Sequence, residues 1–225
     1  MIPKRLIRCV PEVIPDAWEA NWLKWCDEYY TTRAVGLTAW DCVTIQDPID
    51  PVLFPLLGRY HRYATSGAQL AGMVRLETVW RYGGVYVDAD MEPLRAIDEL
   101  RRHPLFICTE DGVHLTDAMF GAEKNHPGLL ATIEHVARLY EDWLSACAVP
   151  FPEDDSPPPD PPGAQATGPL ATTHCLSRRP DVTILAQRMF FPYTYLEPER
   201  AGEDFARTSP ESYAVHRWSH SWAGT

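Results

Sequence analysis

Two aspartates, Asp88 and Asp90, follow the short apolar segment 85–87. Side chains two positions apart in a strand project from the same face, so both carboxylates can serve one ligand. Oxygen ligands of this kind suit Mg2+ and Mn2+, which commonly bridge to phosphates. Ligands of open α/β sheets gather at the carboxyl ends of the strands. The pair therefore indicates a site for a divalent cation and a diphosphate; a solvated pair of loop acids is the alternative interpretation.

The segment before this strand has the pattern of an amphipathic helix. Ser66 followed by Gln69 forms a capping-box pattern at its start. Apolar residues then recur at steps of three and four along residues 73–80. Gly83 and Gly84 supply the stop expected after a helix. The order of helix, glycine pair, strand and aspartates predicts that the acids lie at a strand end.

The rest of the chain alternates between strand and helix patterns, which predicts a single α/β domain over residues 1–225. Prolines and acids dominate residues 150–163, which predicts a flexible acidic loop, with a lid over the site as a second interpretation. The predicted strands are 5–10, 43–45, 85–87, 105–108, 182–185 and 213–215, and the predicted helices are 18–25, 53–63, 66–82 and 129–144.

Composition narrows the class of protein. The net charge of −11 lies entirely in residues 83–225, where eleven basic residues face twenty-two acidic ones. Nucleic-acid binding usually shows a basic footprint, so this balance disfavours such a partner without closing the option. No apolar run approaches the roughly 18 residues that span a bilayer, and no signal peptide is evident, so a cytoplasmic location is expected. The six scattered cysteines, with no C-x-x-C pair, favour reduced thiols.

A longer pattern surrounds the two aspartates. Arg75 stands eight residues before Gly83, and Tyr86, Asp88 and Asp90 follow. This segment resembles the signature of the DxD glycosyltransferases, the family that includes yeast initiating mannosyltransferases, capsular-polysaccharide transferases and glucosylating toxins. Further segments similar to elements of that family are Ile2-Pro3-Lys4, Asn125-His126-Pro127, Thr167-Gly168-Pro169 and His216 to Trp222.

The resemblance implies a fold, a cofactor and a set of site residues. The fold would be of the GT-A type, a Rossmann-like α/β domain with a central mixed, mostly parallel sheet flanked by helices. Mn2+ or Mg2+ would be held by Asp90 and Asp88, with His216 or His220 completing the coordination. Arg75, Asp88 and Asp90 would be the catalytic residues. The implied donor-binding residues are Ile2, Arg75, Gly83, Gly84, Tyr86, Asp88, Ala89, Ser221 and Trp222.

The chain departs from the family pattern in two places. Gly72 stands three residues before Arg75, where the family carries an aspartate that resembles an acceptor for donor-sugar hydroxyls. Residues 8–11 replace the family's His-x-x-Trp beside the nucleotide base, so the choice between uridine and guanosine stays open, with a UDP-sugar favoured. Glu110 and Asp117 follow the 105–108 strand as candidate residues for the sugar or acceptor, and solvated loop acids are the alternative.

One hypothesis leads and two alternatives accompany it. The leading hypothesis is a metal-dependent glycosyltransferase that moves a sugar from a UDP- or GDP-sugar to a glycan or another hydroxyl acceptor, with retention of configuration. Gly72 motivates the first alternative, a lapsed enzyme that binds a nucleotide-sugar or glycan without turnover. The second is a glycosyltransferase that acts on modified DNA bases, which the small size allows and the acidic second half opposes.

Overall fold

A computed structural model describes residues 1–30, 40–148 and 160–218 of the chain. Its strands are β1 (Arg5–Val10), β2 (Asp41–Gln46), β3 (Gly84–Val87), β4 (Met91–Pro93), β5 (Leu105–Thr109), β6 (Leu115–Ala122), β7 (Val182–Leu185) and β8 (Ala214–His216). Its α-helices are α1 (Asp16–Leu23), α2 (Gly67–Tyr82), α3 (Pro127–Ala148), α4 (Ala164–Thr167), α5 (Pro169–Leu176) and α6 (Phe205–Thr208).

Six strands form the central sheet in the order β2-β1-β3-β6-β5-β7. β1 runs parallel to both β2 and β3, and β5 runs parallel to β7. Of the six strands, β6 alone is reversed, because it pairs antiparallel with β3 on one side and β5 on the other. The mixed, mostly parallel sheet predicted from the sequence is therefore confirmed.

Successive residues of the central strands enter two different cores. Val85 and Val87 pack in a cluster with Trp25 and Phe190 on one face of the sheet. Tyr86 points the other way, into a cluster with apolar residues of α2 and α3. A strand covered on both faces has no polar side, which explains the continuous apolar run in the sequence of β3. No helix in the described ranges has the length and apolar character that crossing a membrane requires.

The predicted helix over residues 53–63 is wrong. The chain there forms two short 3-10 turns, Pro51–Leu53 and Gly58–Tyr63. The buried carboxylate of Glu77, on α2, accepts hydrogen bonds from the backbone N–H groups of Leu56 and Leu57 at 3.2 and 2.8 Å. These donors are thus satisfied by a side chain of another element, so a continuous helix is not needed to satisfy them.

A second, two-stranded sheet was missed from the sequence. β4 ends at Pro93 and pairs antiparallel with β8. Met91 lies opposite His216 in this ladder, so the C-terminal part of the described chain is held next to the DxD segment. β6 was also missed, since all eight of its residues are buried and its pattern does not alternate. Most of the predicted acidic loop lies outside the described residues.

The ends of α2 follow the sequence signals. Ser66 Oγ accepts a hydrogen bond from the backbone N–H of Gln69 at 3.2 Å. The second half of the expected capping box differs, because Gln69 Oε1 accepts from the N–H of Thr65 at 2.8 Å. Gly83 ends the helix with φ 67°, a left-handed conformation that favours glycine.

We expect Gly83→Ala to lower the free energy of unfolding by about 2–3 kcal/mol, since strain and overpacking add. A Cβ at this position would lie 2.8 Å from the backbone nitrogen of Lys124 and 2.8 Å from the ring of Pro3. Urea denaturation followed by circular dichroism measures the loss. Gly202→Ala is the control, because no heavy atom lies within 4 Å of its Cβ position. Equal midpoints for the two variants would contradict the expectation.

Candidate active site

Asp88, Asp90 and His216 converge at the carboxyl end of β3. One ligand atom from each residue lies within 4.8 Å of the others. His216 Nε2 is 3.2 Å from Asp90 Oδ1. The backbone N–H of Met91 bonds to the carbonyl of Asp88 at 3.0 Å, a tight turn that keeps both aspartates next to β8. Asp88 and His216 are about 130 residues apart in the sequence, and the β4–β8 ladder brings them together.

This cluster has the chemistry of a divalent-cation site. Two carboxylates and one imidazole suit Mn2+, and carboxylates suit Mg2+. Burial raises the pKa of Asp88, the Arg75 guanidinium opposes that rise, and the charge of Asp90 adds to it, leaving the pKa above its usual value. Burial would lower the pKa of His216, but the neighbouring Asp90 carboxylate raises it above its usual value. The three residues therefore fit a bound cation that would neutralise the paired acids.

Arg75 connects three elements at the centre of the site. Its guanidinium Nη1 is 3.1 Å from Asp88 Oδ1 and donates to the carbonyl of Asp117 at 2.7 Å. Its Nε donates to the carbonyl of Ala71 at 3.2 Å and lies 3.7 Å from Asp117 Oδ2. The side chain is only 7% exposed, so these contacts replace water around the charge.

Tyr86 contacts both Arg75 and Asp88. Its hydroxyl donates to Asp88 Oδ1 at 2.8 Å. Its ring lies under the Arg75 guanidinium, 4.6 Å from Cζ to the ring centroid, a cation–π contact. Burial raises the pKa of the Tyr86 hydroxyl well above its usual value, so it stays a hydrogen-bond donor.

A cavity of about 760 Å³ opens over these residues. Its size is in the range of small-molecule and cofactor sites. The end of β1, the loop after it and α1 supply Cys9, Pro11 and Trp18 to its lining, and the loop after β2 supplies Asp47 and Ile49.

On the other side of Asp88, the cavity is lined by residues from α2, from β6 and the loop before it, and from the segment around α4 and α5. The order β2-β1-β3-β6 explains this division, because β3 carries Asp88 between the two regions. Gly72, Glu110 and Asp117 line the cavity, as do residues 163–165, Gly168 and Pro169.

The structure brings most of the sequence-predicted residues together. The residues that line one cavity are Gly72, Arg75, Tyr86, Asp88, Ala89, Asp90, Glu110, Asp117 and His216. Glu110 is half-buried, and desolvation raises its pKa, so the expectation of solvated loop acids does not describe Glu110 or the buried Asp117.

Three predicted donor-binding residues lie elsewhere. Ile2 is fully buried in the core, with its N–H bonded to the carbonyl of Arg101 at 3.0 Å. Gly83 and Gly84 turn the chain between α2 and β3, close to Pro3 and Arg5. None of the three is among the described residues that line the cavity, so their roles are in the fold. His220, Ser221 and Trp222 fall outside the described residues.

Trp18 and Asp47 are cavity residues that the sequence analysis missed. Asp47 comes directly after β2, and its position at a parallel strand's carboxyl end is a signal that could have identified it. Trp18 was assigned only to a helix pattern. Arg8, at the start of the segment that departs from the family, turns away toward Glu19 and Thr44, to which it bonds at 2.6 and 3.0 Å.

The known proteins that this chain resembles in sequence and structure are glycosyltransferases. Residues 44–107 match the model of a family described as the glycosyltransferase sugar-binding region containing the DXD motif. The chain is 25% identical to the alpha-1,4-N-acetylglucosaminyltransferase of Homo sapiens over 163 residues, covering 65% of this chain and 41% of that protein. It is 24% identical to inositol phosphoceramide mannosyltransferase 3 of Schizosaccharomyces pombe over 138 residues, covering 58% and 38%.

Among solved structures, the one titled "PaToxG Glycosyltransferase" superposes with a TM-score of 0.50 at 13% identity, covering 79% of this chain and 69% of that one. This likeness supports the assigned fold. The chain spans about two fifths of the length of the two curated relatives. The matched family region contains Arg75, Asp88 and Asp90, whereas Asp117 and His216 lie beyond it.

Removing the Arg75 charge should destabilise the protein. We expect Arg75→Gln to lower the free energy of unfolding by about 3 kcal/mol, because Asp88 and Asp117 would then lack a compensating charge in a desolvated site. Arg207→Gln is the control, since Arg207 is 81% exposed and 4.0 Å from its partner Asp204. Chemical denaturation at neutral pH compares the two. An equal, small loss in both variants would show that Arg75 contributes no more than a surface ion pair.

Proposed function

We propose that the chain moves a sugar from a nucleotide-sugar donor to a hydroxyl acceptor with a divalent cation bound. The premise is the match of residues 44–107 to the glycosyltransferase sugar-binding region containing the DXD motif, which agrees with the resemblance in the sequence. The observation that carries the proposal is the convergence of Asp88, Asp90, His216 and Arg75 in one cavity. The cavity of about 760 Å³ is large enough for one small-molecule ligand or cofactor, such as a nucleotide-sugar.

Asp88, Asp90 and His216 would hold Mn2+ or Mg2+. When bound, the cation supplies Lewis-acid stabilisation of the diphosphate that leaves as the anomeric bond breaks. Arg75 fixes the Asp88 carboxylate in place and adds a positive charge next to the same leaving group. Tyr86 orients Asp88 through its hydroxyl, so these groups are arranged before the donor binds.

The region of Cys9, Trp18 and Asp47 is the proposed site of the nucleotide base. Trp18 offers an aromatic face on which a base can stack. The Asp47 carboxylate can accept a hydrogen bond from the N–H group that both uracil and guanine carry. Burial raises the pKa of the Cys9 thiol to about 12, so Cys9 contributes a neutral wall and no nucleophile.

Experiments with a panel of donors and acceptors identify the donor sugar and the acceptor. The relatives' names point to N-acetylglucosamine and mannose as the first donor sugars to try. We propose a hydroxyl acceptor on a glycan or another molecule, with residues 1–225 acting as a single domain. Retention of anomeric configuration, by attack of the acceptor from the face that the leaving group departs, completes the proposal.

We expect the purified protein with Mn2+ to release free nucleotide from one member of a panel of UDP- and GDP-sugars. Asp90→Asn should lower this turnover at least 100-fold, since it removes a charged ligand from the cation site. Nucleotide release measured by chromatography reports the effect. Asp204→Asn is the control, because Asp204 is exposed and outside the cavity. Undiminished turnover by Asp90→Asn at saturating Mn2+ would remove the metal assignment.

Turnover also separates the proposal from a lapsed binding protein. Binding of a nucleotide-sugar by calorimetry, with neither hydrolysis nor transfer on any acceptor, would replace the enzyme with a binding function.

The stereochemical course is a separate expectation. With the donor identified, we expect the product to keep the donor's anomeric configuration. Proton NMR of the anomeric signal, recorded early in the reaction before mutarotation, distinguishes the two outcomes. An inverted product would exclude attack from the leaving-group face.

A further inference from the structure

Asp117 lies on β6, beside the centre of the cavity, and is 93% buried, at 7% exposure. Its backbone carbonyl is bonded to Arg75, and its Oδ2 lies 3.7 Å from Arg75 Nε. Arg75 also contacts Asp88 at 3.1 Å, so the two carboxylates flank one guanidinium. A ligand held at Asp88 is therefore within reach of Asp117.

The Asp117 carboxylate has unused hydrogen-bonding capacity. Its oxygens accept no hydrogen bond from the described residues 1–30, 40–148 and 160–218, and the Arg75 contact at 3.7 Å is an ion pair longer than a hydrogen bond. A carboxylate has room for about four hydrogen bonds, and buried polar groups are normally satisfied. Because the side chain lines the cavity, the missing donors can come from a bound molecule.

Two glycines keep the space around this carboxylate open. A Cβ at Gly72 would lie 3.8 Å from Asp117 Oδ2, and a Cβ at Gly168 would lie 3.2 and 3.3 Å from its two oxygens. Gly72 belongs to α2, and Gly168 precedes α5. Larger side chains at these positions would fill the space where a ligand's donors must approach.

The order of the strands indicates which part of the donor reaches Asp117. β1 and β2 lie on one side of β3, and β6 lies on the other. With the diphosphate at Asp88 and the base beside Asp47, the remaining part of a nucleotide-sugar is the sugar, on the β6 side. A carboxylate there would repel phosphate and attract hydroxyl donors.

We propose that Asp117 accepts hydrogen bonds from hydroxyl groups of the transferred sugar and is a specificity-determining residue of the proposed reaction. The inference rests on the proposed function. It also accounts for Gly72, since the carboxylate absent from α2 is supplied to the same space from β6. The residue that selects the sugar thus lies outside the segment that matches the family.

The test uses the donor found in the nucleotide-sugar panel and its deoxy analogues, one for each sugar hydroxyl. The wild-type protein should lose about 10- to 100-fold in kcat/KM for the analogue that lacks the hydroxyl bound by Asp117. In Asp117→Asn, this penalty should shrink to about threefold or less, while the natural donor is used less well. Asp117→Asn should still bind the nucleoside diphosphate in the presence of Mn2+, and this binding shows that the variant is folded and that its metal site is intact.

A second variant tests the shared space. Gly72→Asp combined with Asp117→Asn places a carboxylate at the same location from α2, and should restore part of the discrimination lost in Asp117→Asn. Gly72→Asp alone should weaken donor binding, because two carboxylates would then lie side by side. No restoration in the double variant would contradict the shared location.

The outcomes separate the role of Asp117 from the proposed function. If the wild-type protein uses a donor and Asp117→Asn penalises every deoxy analogue as the wild type does, the role of Asp117 is overturned and the proposed function stands. If the wild type binds no nucleotide-sugar at all, the proposed function is overturned and the role of Asp117 with it.

Discussion

The ion-paired contact of Arg75 with Asp88 and Asp117 is the interaction on which the site depends. It joins α2, β3 and β6 at the point where the carboxyl end of β3 meets the cavity. A buried guanidinium without acids, or acids without a guanidinium, would carry a large desolvation cost. The three charges therefore hold one another in place, and Tyr86 fixes the geometry through its hydroxyl and its ring.

The antiparallel pairing of β4 with β8 completes the site. It places His216 beside Asp90 and so brings together a candidate cation site from residues far apart in the chain. Phe191 and Trp218 pack on the His216 ring at centroid distances of 5.7 and 4.2 Å, so the imidazole is held by aromatic neighbours as well as by the backbone ladder. The candidate cation ligands Asp88, Asp90 and His216 are thus brought together by the second, smaller sheet.

The proposed sugar-binding residue and the candidate cation ligands come from different parts of the fold. The DxD pair and Arg75 lie within one continuous segment, whereas the carboxylate proposed to bind the sugar comes from β6. Exchange of a side chain between two facing positions preserves the chemistry of a cavity when the two positions border the same space. Gly72 and Asp117 border one space, and on the proposal for Asp117 the departure at Gly72 is a rearrangement of the carboxylate and not a loss of function.

The sequence by itself determined the local elements and the motif. The caps of α2, the left-handed turn at Gly83 and the apolar β3 follow from short-range preferences, which are visible in consecutive residues. It did not reveal β6, the β4–β8 ladder or the 3-10 turns near residue 56, since these depend on partners distant in the chain. The sequence left His216 and His220 as alternatives, and only the tertiary structure placed His216 beside Asp88 and Asp90, and Asp117 beside Gly72. Such contacts arise from strand order and burial, which no local spacing encodes.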